Sequence, residues 1–196
     1  MALWCIIGII SSSLNICTVT IMSAIPKSRI DEIEAQAETI LQSAYGNEKF
    51  KPPVNLDKVV SDAGLEVSEV EFSQEEIAGA YNKAEKRIYV AQDDYFPRQL
   101  FTIAHELGHF FLHQDKKDEV FLRMDVLKAG NEINEKSQQE KEADWFAASI
   151  LMPREPVKNY WKILGDTKQM ADLFGVSQSA MRWRLVNIGL LRYEDE

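Results

Sequence analysis

Apolar residues along this chain recur at three- and four-residue spacing in some stretches, the mark of amphipathic helices. In others they recur at two-residue spacing, the mark of strands. Ile30, Ile33, Ala37, Ile40, Leu41 and Ala44 share one helical face, which predicts a helix over 28–45 ended by Gly46. Lys51-Pro52-Pro53 reads as a linker, and 56–63 as a short helix that stops at Gly64. Valine-rich 65–72 reads as a strand. Segments 78–81 and 87–91 read as a hairpin across the polar turn 82–86. The prediction to this point is two helices and a small antiparallel sheet.

Pro97 suits the first turn of a helix, where a missing N–H costs nothing. The run after it, RQLFTIAHELGHFFLH, is apolar around most of its circumference. Leu100, Ala104, Leu107 and Phe111 form one stripe; Phe101, His105 and His109 form the next. Such a helix belongs at the centre of a domain, and ionisable groups on it need partners or a function. Residues 114–134 are polar and irregular, with a strand expected at 119–123. A helix is expected over 135–151, with Ala143, Phe146, Ala147, Ile150 and Leu151 on its apolar face and Pro153 as its stop. Another short helix is expected over 156–164. Segments 166–175 and 177–187 form a helix–turn–helix pattern, with Gly175 at the turn and Ser177 as N-cap. The fold class is α+β: a domain over 27–153 with a small antiparallel sheet packed on helices, then a helical subdomain over 154–196.

Composition narrows the class. Of 196 residues, 45% are apolar and 27% charged, which excludes a globally disordered or low-complexity chain. A net charge of -9 gives a surface that repels phosphate backbones and excludes a general nucleic-acid coat protein. Cys5 and Cys17 both precede residue 20, so the rest of the chain has no disulfide, thiolate metal site or cysteine nucleophile. All three histidines, His105, His109 and His113, fall within nine residues.

Residues 1–26 carry no charge. They read as a misplaced start upstream of Met22 or a disordered leader, with a membrane anchor over 1–25 as the second reading and a cleaved signal as the third. Lys27 and Arg29 follow the apolar stretch. An inserted segment would therefore leave the main domain in the cytoplasm, as the first reading also does.

The chemistry is concentrated in His105-Glu106-Leu107-Gly108-His109, an H-E-x-x-H pattern. Histidines at i and i+4 project from one helical face about 6 Å apart, so both can bind one zinc at about 2.0–2.1 Å. Glu106 is rotated about 100° from His105, where it can take a proton from water activated by the metal. His113 lies about 12 Å from His105 along the axis, too far to share the ion, and reads as a structural or C-terminal histidine. A catalytic zinc needs a third protein ligand. On the next helix Glu140 and Asp144 fall within about 40° of each other, in line with Ala147 and Leu151, while Glu142 points about 160° away. Glu140 is therefore the expected third ligand. Asp144 is the expected acceptor for a ligating histidine's Nδ1–H, and Glu142 is expected in solvent.

HELGHFFLH, preceded by RQLFTIA and followed by EKEADWFAASILMP, resembles the ImmA/IrrE family of zincin-like metallo-endopeptidases over roughly residues 30–191. The resemblance implies His105, His109 and Glu140 as zinc ligands and Glu106 as the catalytic base. It also implies a cytoplasmic bacterial or phage-associated protease. Its expected partner is a helix–turn–helix repressor, cleaved to derepress stress, prophage or mobile-element genes. The family pattern often has Asn at the position of Asp144, and both residues supply an acceptor.

Tyr81, Tyr89 and Arg98 are open candidates for stabilising the oxyanion, and a sheet edge is a candidate seat for an added substrate strand. The rival function lies in the C-terminal helices. There Gln178, Ser179 and Arg182 would face a major groove. Residues 166–190 carry Lys168, Arg182 and Arg184 against Asp166 and Asp172, a net +1 that is weak for a DNA reader, so no direct nucleic-acid partner is expected. The alternative is therefore a DNA-binding or docking regulator whose zinc domain is structural or inactive.

Overall fold

The computed structural model describes residues 25–48, 50–74, 77–113, 120–124 and 137–192, with only the backbone described for 120–124. The apolar leader through residue 24, the polar segment 114–119 and 125–134, and the expected helix start at 135–136 lie outside them. Elements follow in the order α1 (Lys27–Tyr45), α2 (Leu56–Asp62), β1 (Glu66–Val70), β2 (Ile77–Asn82), β3 (Arg87–Ala91), α3 (Phe96–Leu112), β4 (Val120–Met124), α4 (Gln138–Leu151), α5 (Arg154–Leu164), α6 (Thr167–Phe174) and α7 (Gln178–Asn187). Among the described residues no helix is long and apolar enough to cross a membrane.

The expected antiparallel sheet is instead mixed. Its strand order is β1-β3-β2-β4. β2 is antiparallel to both β3 and β4, but β1 runs parallel to β3, with Glu66 opposite Arg87 and Val70 opposite Ala91. Alternation of apolar residues says which face a strand buries, not which neighbour it pairs with or in which direction. The hairpin stands as expected. The Asn82 side chain accepts from the backbone N–H of Ala84 and Glu85 at 3.0 and 3.2 Å, closing the turn. β1 is an outer strand, and its exposed Glu66 and Glu69 protect that edge from pairing with another chain.

The central helix α3 lies between the sheet and α4. Every residue from Ala104 to His109 is buried. Two glycines allow this. A Cβ on Gly79 of β2 would collide with the Thr102 side chain, and one on Gly108 would sit 2.9 Å from the Ala143 Cα of α4. On the other side of α4 lies α1, which buries Ile33, Ala37 and Leu41 in the same apolar cluster as Phe146, Ile150 and Leu151.

That cluster continues past residue 153 through Val157, Met170, Phe174, Met181 and Leu185. α6 and α7 join across Gly175 at φ 68°, with Asp166 and Ser177 capping their N-termini at 2.7 and 3.1 Å. The buried Arg184 changes the charge reading of this region. Its guanidinium donates to the Met152 carbonyl at 2.9 Å and to Glu34 of α1 at 2.9 Å. Arg154 donates to the other Glu34 oxygen at 2.6 Å. Arg184 is therefore a structural tie between α7 and α1 and not a surface cation.

Candidate metal centre

Local sequence sets up the site. Ser137 caps α4, its hydroxyl accepting the Glu140 N–H at 3.3 Å, which fixes the first turn and puts a carboxylate at the positive end of the helix. The close approach of Gly108 to Ala143 then brings Glu140 and Asp144, which flank Ala143, over the two histidines of α3. Gly108→Ala is accordingly expected to destabilise the fold by up to about 2 kcal/mol net. Overpacking against backbone costs about 1–3 kcal/mol and outweighs the roughly 1 kcal/mol that Ala gains over Gly in a helix. Urea melts of the variant check this; equal or higher stability would contradict the tight crossing.

Glu140 reaches the Nε2 of His105 at 3.2 Å and the Nε2 of His109 at 3.1 Å. The two Nε2 atoms are 3.1 Å apart. The Nδ1 of His105 donates to Asp144 at 2.9 Å. Asp144 thus stands where the helical wheel put it, and Glu140 faces both histidines. These three residues form the group among the described residues able to hold a metal ion.

The donor set fits zinc. A tetrahedral zinc with ligands at about 2.0–2.1 Å holds its ligand atoms about 3.3–3.4 Å apart, close to the three separations found. The protonation pattern agrees. Asp144 can only accept, so the His105 proton is on Nδ1 and its Nε2 lone pair points at the Glu140 oxygens. Convergence of such acceptors is repulsive unless a cation lies among them.

Glu106, the expected base, has no exposed surface. A carboxyl placed that deep is costly unless it has a purpose.

Glu142 departs from expectation. It is not in solvent but 8% exposed. Its Oε2 accepts from Arg29 Nε and Nη2 at 3.1 and 2.9 Å, and its Oε1 accepts from Gln138 at 3.1 Å. A helical wheel gives the direction of a side chain, whereas α1 decides what lies there, and α1 covers that side of α4. His113 follows the reading as a C-terminal histidine, since it caps α3. It also contacts His109 Nδ1 at 3.3 Å and Glu142 at 3.4 Å. Burial pushes its imidazole below the usual histidine value, against the opposing pull of Glu142. Sequence reasoning missed Arg29 and Glu142. The available signal was His113 itself, at the i+4 position of the His109 stripe.

The oxyanion candidates separate. The Tyr89 hydroxyl bonds Glu85 at the hairpin turn, and Arg98 pairs with Asp94 at 2.8 Å. Tyr81 is buried, with its ring edge-on to Phe110 of α3 at 5.8 Å.

Residues 60–186 match the family model of the M78 peptidases, described as the IrrE N-terminal-like domain. Among solved structures, a Mycobacterium tuberculosis transcriptional regulator has a similar fold, with a TM-score of 0.56 at 17% identity. The alignment covers 80% of this chain and 46% of that one, so this chain spans less than half of that protein's length. No curated protein matches the sequence.

Proposed function

This chain belongs to the M78 peptidase family, and from that membership we propose that it is a zinc-dependent endopeptidase acting on a regulatory protein. The observation that carries the reading is the convergence of His105 Nε2, His109 Nε2 and the Glu140 carboxylate at zinc-ligand spacing on an H-E-x-x-H helix. His105, His109 and Glu140 hold the metal, and Asp144 keeps the His105 lone pair aimed at it. The chemistry that a bound zinc supplies is polarisation of the scissile carbonyl and acidification of water to a pKa of about 7. Glu106 accepts the proton of the attacking water and returns it to the departing amine. An extended target segment pairs as an added strand along β4, the outer strand opposite β1. The substrate class is a helix–turn–helix repressor, supported by the family resemblance and by the regulator named among the similar folds. The domain works in the cytoplasm.

The second reading, a docking or DNA-binding role for α7, draws on its exposed Gln178, Ser179 and Trp183. Burial of Arg184 leaves Lys168 and Arg182 against Asp166 and Asp172 there, a balance of zero that argues against DNA.

The test uses the full chain with a helix–turn–helix regulator sought beside its own gene as the substrate. About one zinc per chain is expected, with cleavage lost on chelation and restored by added zinc. A folded chain that takes up no zinc from excess overturns the reading. Repressor binding that persists without zinc, with no cleavage in its presence, favours the docking role.

A further inference from the structure

His105 has a carboxylate, Asp144, to fix its tautomer. The Nδ1 of His109 faces a second imidazole, His113, at 3.3 Å. An imidazole can donate or accept, so the pair by itself leaves the His109 tautomer undetermined. The next link settles it. His113 Nε2 lies 3.4 Å from Glu142 Oε2, and a carboxylate can only accept. The His113 proton is therefore on Nε2, and its Nδ1 is an acceptor. His109 must donate from Nδ1, which leaves the lone pair on Nε2, the atom that faces Glu140.

Glu142 is kept in this role by its other partners. Arg29 of α1 donates twice to the same Oε2, and Gln138 holds Oε1. The carboxylate is charged, nearly buried and fixed from two helices. Resting on the metal-site reading above, we propose that His113, anchored by Glu142 and Arg29, is the positioning residue that fixes the tautomer and orientation of His109 for metal binding. The two ligating histidines are then oriented by different means: His105 directly by a carboxylate, His109 by a carboxylate relayed through a second imidazole. Partners of this kind commonly set metal affinity by about 10–100-fold.

The test measures zinc affinity of the full chain by competition with a chromophoric chelator, beside the melting temperature of each metal-free variant. In His113→Asn an amide oxygen takes the place of Nδ1 and still accepts from His109. In His113→Gln the amide lies near the former Nε2, and in His113→Leu the new side chain has no acceptor. The expected result is affinity within about threefold of wild type for Asn, and a loss of about 10–100-fold for Gln and Leu. Glu142→Gln keeps an acceptor near His113 but can also present an N–H, so an intermediate loss is expected. Cobalt-substituted protein should show altered visible bands in the Gln and Leu variants and near-native bands in Asn. Wild-type affinity in His113→Leu, or equal losses in Asn and Leu, overturns the proposal, as does a series in which only the melting temperature moves. If Leu does not fold, the Asn–Gln comparison decides alone. A wild type that binds no zinc overturns the metal site and this inference with it. A tight-binding wild type beside an equally tight Leu variant overturns only the role of His113.

Discussion

Glu106→Gln is expected to lower turnover by about 10²–10⁴-fold while leaving zinc bound at the wild-type level, because general acid–base transfer contributes about that much. The change is nearly isosteric and Glu106 has no exposed surface, so packing is preserved. It also removes an ionisable group from a buried position, so the melting temperature should hold or rise. Steady-state cleavage, metal content and a thermal melt on one preparation make the case. Undiminished turnover would remove Glu106 from the chemistry. Lost turnover together with lost zinc would mean that the variant had damaged the site and not the proton transfer.

The second large effect is on stability. Glu34→Gln is expected to cost about 3–5 kcal/mol at neutral pH, because it breaks a buried ion pair and leaves the other charge uncompensated. The Arg184 side chain is 1% exposed, and in the variant its charge faces only neutral oxygens, the amide at position 34 and the Met152 carbonyl. Burial acts to raise the Glu34 pKa, but the Arg154 hydrogen bond and the charges of Arg184 and Arg154 bring it below the ordinary carboxyl value of 4.5. A depressed folded-state pKa contributes stability that is present above the unfolded pKa and is lost as pH falls through the folded one. The gap between wild type and Glu34→Gln should therefore be full at pH 7 and narrow below about pH 4.5. Urea melts across that range test it. A constant gap would separate the cost from the charge of Glu34.

These two residues differ in how legible they were. Glu106 belongs to a motif whose spacing is itself the chemistry: on a helix, i and i+4 face the same way and i+1 stands beside them. Glu140 and Asp144 were readable for the same reason, since helical geometry fixes their common direction and an apolar face nearby says that this direction is inward. The helices, the hairpin turn and the caps at Ser177 and Gly175 were readable because each depends on residues within a few positions. Glu34, Arg184 and Glu142 were not. Each looks like an ordinary surface charge on a helix, and each is decided by a partner more than 100 residues away.

The sequence by itself determined the layout of the candidate site: which helix carries the histidines, which carboxylates share their direction, and roughly where the helices and the hairpin lie. Local periodicity and capping are short-range, so they survive in one dimension. Only the tertiary structure decided that β1 lies parallel to β3, that α1 closes over Glu142, that Arg184 is a core cation, and that His113 lies between His109 and Glu142. Strand pairing, burial and charge pairing depend on which surfaces meet, and for these elements that is fixed by the close crossing of α3 and α4 at Gly108 and Ala143 and by the packing of α1 on α4.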